Sequence, residues 1–230
     1  MPRSRRRRPH LIPYKFLDIR RRYGRRPFAL LDIGCGNHSA TLTKACFPAC
    51  TYTGVDRDRG YNNDAEDLAA MDAFYEIDLT TLDFRAIPDG AYDVLLMAHV
   101  IEHLSNGDEV VRALAPKLRP GGLLYVEFPG PRSLTLPSMR DTLNFHDDPT
   151  HVRVFTAAEV SALVRSLGFR VLRSGVRRDP RGIFFLPLHA LKAKRAFGYV
   201  PGGVFWDLLG FAEVVVAIRG PDVPAPALPG

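Results

Sequence analysis

Cysteine is scarce in this chain. Cys35, Cys46 and Cys50 are the only three, an odd number without CxxC spacing. No disulfide framework is expected, and a reducing cytoplasm is the compartment that fits. Cys46 and Cys50, four apart near a helix end, read as small buried residues rather than a metal site. No apolar run approaches the ~20 residues of a membrane span. The arginines at the start are not followed by an apolar stretch, which excludes a secretory signal. No internal repeat is visible.

What is present is ordinary for a globular protein, with 46% hydrophobic and 24% charged residues in 230. That length suits one domain with a sizeable core, plus tails. The charge, however, is unevenly placed. Residues 1–26 hold ten arginines and Lys15 against Asp18, so they carry +10 of a chain whose total is +6. The remainder is net acidic. The expected division is a basic, partly disordered segment over 1–26, a catalytic domain over 27–220 and a Pro-rich tail over 221–230. Arg5–Arg8 and Arg20–Arg22 read either as a solvated tail or as an attractor for an anionic partner, nucleic acid or a lipid surface.

Phe28 to Ile33 is a short apolar run holding one acid, as a buried parallel strand would be. Gly34-Cys35-Gly36 breaks it, and Ser39 and Thr41 are candidate caps of a helix through about Cys46. A strand, a glycine turn and a helix open a doubly wound sheet. Ser39 stands where the dinucleotide fingerprint wants a third small glycine-like residue, which disfavours a nicotinamide oxidoreductase. Asp56 follows a second strand, Thr51 to Val55, and is placed to accept from two ribose hydroxyls.

Further stations follow in order. Phe74 to Ile77 is a third strand ending in Asp78-Leu79. Tyr92 to Met97 is a fourth, followed by Ala98-His99-Val100-Ile101-Glu102-His103. Leu118-Arg119-Pro120-Gly121-Gly122 leads into a fifth, Leu123 to Phe128. Phe169 to Val176 is a sixth, and Phe211 to Arg219 a Val-rich seventh. Helices are expected over Asn62 to Ala73, with Leu68, Met71 and Ala65 inward, and over Asp108 to Lys117. Thr156-Ala157-Ala158-Glu159 is a capping box opening a helix to Leu167, which Gly168 ends.

This set resembles the class I S-adenosylmethionine (SAM) dependent methyltransferases, in particular the type 11/type 23 group with the ubiquinone-pathway O-methyltransferases. The resemblance covers roughly Phe28 to Arg219 and departs at Asn37-His38, where many members have a third glycine. It implies an α/β, doubly wound, Rossmann-like sheet of seven strands, the last antiparallel. It also implies SAM as cofactor. Asp32 with Gly34, Cys35 and Gly36 would hold the methionine end. Asp56 would hold the ribose, Asp78 and Leu79 the adenine, and Met97 and Ala98 would face the cofactor. A helix over Tyr14 to Tyr23 would cover the cleft.

Methyl transfer to a hydroxyl needs an in-line nucleophile and a proton acceptor. His151 is the first candidate base, with His146 and His99 behind it. His99, Glu102 and His103 are spaced i, i+3, i+4, so a helix would set them on one face. Two imidazoles and a carboxylate suit a divalent metal, and the resemblance includes a similar Glu-x-x-Glu-His pattern with a later His. A metal is not the favoured reading, because Glu-His after strand four also occurs in metal-free members. Pro129 to His151 and Arg177 to Gly210 are inserts that would set substrate choice. The aromatics of the second, Phe184, Phe185, Phe205 and Trp206, read first as core, otherwise as an apolar pocket or a membrane-facing lip.

The favoured activity is methylation of an oxygen, or less favourably a nitrogen, on a small or amphipathic metabolite. The alternatives are a nucleic-acid methyltransferase using the basic tail and a non-catalytic SAM-fold protein. The acidic body and the lack of an Asn-Pro-Pro-Tyr-type motif disfavour the former. The intact set Asp32, Gly34, Gly36, Asp56 and Asp78 disfavours the latter.

Overall fold

The computed structural model describes residues 12–221. The expected tail residues 1–11, with Arg5–Arg8, and 222–230 lie outside the described residues. Seven strands form one sheet: β1 (Phe28–Ile33), β2 (Cys50–Asp56), β3 (Ala73–Glu76), β4 (Tyr92–Ala98), β5 (Leu118–Pro129), β6 (Phe169–Val176) and β7 (Ala212–Arg219). Their order is β3-β2-β1-β4-β5-β7-β6. β7 runs antiparallel to both β5 and β6, and the pairs from β3 to β5 are parallel. The doubly wound sheet with an antiparallel last strand is thus as expected. The order in which strands are added reverses between β1 and β4, which run parallel, and this opens a crevice at their carboxyl ends.

Residues alternate between two buried faces, which is why the strands read as near-continuous apolar runs. Leu31, Ile33, Leu95 and Val126 face one core, with Val110 and Leu114 of α4 (Gly107–Leu114) and Val160 and Val164 of α5 (Ala157–Ser166). Leu30, Tyr52, Leu96 and Tyr125 face the other. That face is closed by α2 (Ser39–Cys46) and by the turn Tyr14–Phe16 with α1 (Leu17–Tyr23), through Phe16 and Ile19. Part of the arginine-rich segment is therefore core.

Local structure departs from the sequence reading at five places. α3 (Ala65–Ala70) is half the expected length, because an Asp64 capping box starts it late; Ala65 is exposed and Asp67 is the buried residue. Neither Ser39 nor Thr41 caps α2. His38 stands at the cap with φ 58°, and Ser39 Oγ instead donates to Asp32. β5 begins at Leu118, five residues early, because Leu118 pairs Tyr92 across a register shift. His99 to His103 is no helix: His99 sits at φ 57° and a single 3-10 turn, Ile101–His103, follows. The second insert forms α6 (Pro180–Phe184), α7 (Leu186–Phe197) and α8 (Trp206–Leu209), and neither α6 nor α7 buries a residue. Core packing is overturned there for Phe184 and Phe185, which are 77% and 38% exposed.

The Thr156 capping box is present. Thr156 Oγ1 accepts from the Glu159 N–H at 3.1 Å, and Glu159 Oε2 accepts from the Thr156 N–H at 2.8 Å. Thr156→Ala should lower stability by ~1 kcal/mol, read as a lower urea midpoint at unchanged slope. An unmoved midpoint would mean that α5 does not depend on this cap.

Candidate active site

A cleft of about 840 Å³ opens over the carboxyl ends of β1, β2 and β4. Its floor is the loop after β1. Gly34 adopts φ 69°, and a Cβ there would meet a Val100 methyl at 2.4 Å, so only glycine fits without strain. At Gly36 a Cβ would come within 2.8 Å of Tyr61. Asn37 and His38, standing where a third glycine is usual, both take left-handed backbone. Buried Asp67 anchors this loop to α3 by accepting from Thr41 and binding His38 Nδ1. Burial works against the Asp67 charge, but these bonds hold its carboxyl below the usual range.

Asp32, at the end of β1, is buried. Its Oδ2 accepts from Ser39 Oγ and from Tyr52 Oη, each at 2.6 Å. Burial pushes its pKa up, opposed by Lys15, Ser39 and Tyr52. Lys15 Nζ reaches Ser39 Oγ at 3.2 Å, so the Tyr14–Phe16 turn closes one side of the cleft. Asp56 ends β2 in the same cleft, and its pKa is also raised, mainly by burial. Asp78 and Leu79 follow β3 there. Asp78 Oδ1 takes the Thr80 N–H and hydroxyl, which keep its carboxyl low.

Beyond Ala98 the cleft continues into a chamber of polar groups and rings. His99 is wedged between two carboxylates, with Nδ1 3.2 Å from Glu102 Oε1 and Nε2 3.0 Å from Glu127 Oε1. Burial disfavours its charge, but the two hydrogen bonds outweigh it and raise its pKa to about 9. With both nitrogens donating, His99 has no lone pair to take a proton. Its ring lies 4.8 Å from Trp206, which stacks on Phe211 at 4.6 Å. Glu127 also accepts from Tyr125 Oη and from Arg177 Nη1, and Arg177 forms a two-toothed pair with Asp207 of α8.

On the other wall the Glu102 carbonyl accepts from the N–H groups of Val152 and Arg153, drawing the post-β5 insert against the turn. His151 Nδ1 lies 2.6 Å from the Phe145 carbonyl and must donate there, leaving Nε2 as the acceptor. His103 Nδ1 is likewise tied to Thr150. One ligand atom each of Glu102, His103 and His151 lies within 4.8 Å of the others. Glu102 Oε2 is buried with no hydrogen-bond partner among the described residues.

Residues 5–174 match the family model of the methyltransferase domain. The chain belongs to this family. It is a class I SAM-dependent methyltransferase by family and by fold, and the cofactor of that family is SAM. A Mycobacterium tuberculosis protein described as a probable SAM-dependent methyltransferase is 36% identical over 66% of this chain and 53% of its own length. A 27-O-demethylrifamycin SV methyltransferase from Amycolatopsis mediterranei is 30% identical over 48% of this chain and 43% of its own. The chain spans about half or less of these curated relatives. A solved SAM-dependent methyltransferase from Mesorhizobium loti shares the fold, at TM-score 0.60 and 17% identity over 89% of this chain and 98% of that one.

Within the methyltransferase cleft the structure assembles Asp32, Gly34, Gly36, Asp56, Asp78, Leu79, Ala98, His99 and His151. Cys35 and Met97 are fully buried in the two cores behind it. His146 is exposed and is not part of the cleft lining. The expected metal set His99, Glu102 and His103 is regrouped: the left-handed turn at His99 sends its ring to Glu127, and His151 takes its place. Sequence reading missed Tyr52, Glu127, Arg177 and Asp207. Glu127 was findable, as a lone charge inside the apolar run Leu123 to Phe128 requires a buried partner.

Asp56→Ala should weaken SAM binding by ~2 kcal/mol, about 30-fold in Kd, because a charged acceptor facing the cleft is lost. Calorimetric titration on a variant of unchanged melting temperature checks this. Equal affinity would remove Asp56 from the cofactor site.

Proposed function

We propose that this chain transfers the methyl group of SAM to an oxygen of a small amphipathic acceptor. The observation that carries the reading is the continuity of the cleft, from the β1 loop past Ala98 to the chamber between His151 and Trp206. Asp32 and Lys15 offer opposite charges for the ammonium and carboxylate of the methionine end. Asp56 suits the ribose, and Asp78 with Leu79 the adenine. The sulfonium methyl would then face the chamber. An oxygen acceptor is supported by the Amycolatopsis relative, whose name places its substrate's methyl on oxygen. The stacked Trp206 and Phe211 rings offer the acceptor an apolar wall.

In the transfer, an oxygen lone pair forms the new C–O bond as the C–S bond breaks, leaving neutral S-adenosylhomocysteine. The hydroxyl proton passes to His151 Nε2, whose lone pair is set by the Phe145 carbonyl. His99, charged and clamped, orients Glu102 and Glu127 rather than taking the proton. A positioned base of this kind contributes ~10²- to 10⁴-fold in rate.

The orphan Glu102 oxygen favours a second reading of the same wall. Glu102, His103 and His151 fit a divalent cation: a buried carboxylate oxygen lacks a partner, and both imidazoles are oriented through Nδ1. When bound, such an ion supplies Lewis acidity that lowers an acceptor hydroxyl's pKa. It would also occupy the lone pair that the base uses, so the two readings are exclusive.

Tritiated SAM offered with a panel of phenols and catechols tests both. His151→Ala should cut turnover at saturating SAM by ~10²-fold or more, with SAM affinity unchanged. Indifference to chelator assigns His151 as base. Chelator sensitivity restored by added zinc or magnesium, with Glu102→Gln falling as far, assigns the cation. Near-full turnover in both variants contradicts the two readings together.

A further inference from the structure

The insert between β6 and β7 turns its apolar side chains outward. Phe184 is 77% exposed, Phe197 63%, and Leu188 and Leu191 are 45% and 46%. Leu188 and Leu191 are spaced i, i+3 and share a face of α7, with Phe184 a turn earlier at the end of α6. Leu186, Ala190 and Ala193 are the partly covered positions of α7, and Leu188 and Leu191 lie off that stripe. An amphipathic helix packed on a core does the reverse, turning its larger apolar residues inward.

Charge on the same element has one sign. α7 carries Lys192, Lys194 and Arg195 and no acid, and no carboxylate pairs with them among the described residues. Asp179, the acid at the start of α6, is already paired with Arg181. Arg181 also donates to the Ile12 carbonyl at 3.1 Å, which brings the start of the described chain beside α6. The sequence before Ile12 contains Arg3 and Arg5–Arg8. Eleven residues reach at most roughly 35–40 Å.

We propose that α6 and α7 dock on an anionic lipid bilayer, lying in its surface. Phe184, Leu188 and Leu191 enter the headgroup–acyl boundary. Lys192, Lys194 and Arg195 meet phosphate headgroups. Apolar burial combined with attraction to anionic lipid is what binds an interfacial helix of this composition. The pairing of large apolar residues with cations selects this partner. A nucleic acid would take the cations and leave Phe184 and the leucines in water. A second copy in a two-fold contact would set a helix carrying three cations and no acid against an identical one. The surface adjoins the cleft, since Asp179 and Asp207 line the rim beside α6. The proposal does not rest on the methyl acceptor or on the base.

The full chain should co-sediment with phosphatidylglycerol–phosphatidylcholine vesicles and bind pure phosphatidylcholine at least tenfold more weakly. Rising salt should release it, because the headgroup attraction is screened. Leu188→Asp with Leu191→Asp should weaken vesicle binding at least tenfold, with SAM affinity and circular dichroism unchanged. Phe184→Trp should give an emission blue shift on adding anionic vesicles that exceeds that of the native chain. Vesicle binding that is absent, or unaltered by the double substitution, overturns the proposal. So does a dimer that the double substitution disperses, which assigns the face to a second copy. RNA binding that outcompetes vesicles and ignores the double substitution assigns the cations to nucleic acid and overturns it as well.

Discussion

The site depends on one buried carboxylate. Glu127 stands near the end of β5 and is almost fully enclosed. Burial alone would drive its carboxyl toward the neutral form. Arg177 and His99 reverse that and, with Tyr125, hold it far below the usual carboxylate range. Each partner comes from a different place: Tyr125 from β5, His99 from the turn after β4, Arg177 from the end of β6. Arg177 passes the constraint on to Asp207 in α8. Leaving such a group without its partner costs ~3–5 kcal/mol, so these elements are held in register around it. The chamber beyond Ala98 is therefore held together by electrostatics as well as by packing.

The two walls of that chamber hold their imidazoles differently. His99 gives both nitrogens to carboxylates and is an imidazolium. His103 and His151 are oriented through Nδ1, on oxygen atoms of the post-β5 insert. A clamped positive charge thus lies beside imidazoles anchored by one nitrogen, all at the edge where a sulfonium methyl would arrive. The arrangement separates a group that orients from a group that accepts.

Most of the fold was legible because the strands are buried on both faces and so read as apolar runs. The acids at strand ends, Asp32, Asp56 and Asp78, were legible because the doubly wound topology sends strand ends to one crevice. The histidine cluster was legible in His99, His103 and His151 but not in their grouping, and His146 stands outside the cleft. An i, i+3, i+4 spacing fits a helix, whereas the backbone turns left-handed at His99 and tightens to a 3-10 turn. Arg177 was hidden because it meets Glu127 across fifty residues, through a long-range pairing that no local pattern encodes. Phe184 and the α7 leucines were legible as apolar, but periodicity alone does not say which side of an isolated helix meets water.

The loop after β1 shows how a departure from a family pattern is absorbed. Asn37 and His38 take the left-handed backbone that a glycine would otherwise supply; Asp67 holds His38, and Asn62 Nδ2 donates to Asn37 Oδ1. The central claim is that this loop and the carboxylates around it hold SAM with its methyl toward the histidine chamber. A crystal structure with S-adenosylhomocysteine tests it most directly. The account predicts ribose hydroxyls on Asp56, adenine beside Asp78 and Leu79, and sulfur open to the space between His151 and Trp206. A ligand bound away from the Gly34–Gly36 loop, or with its sulfur walled off from that space, would contradict it.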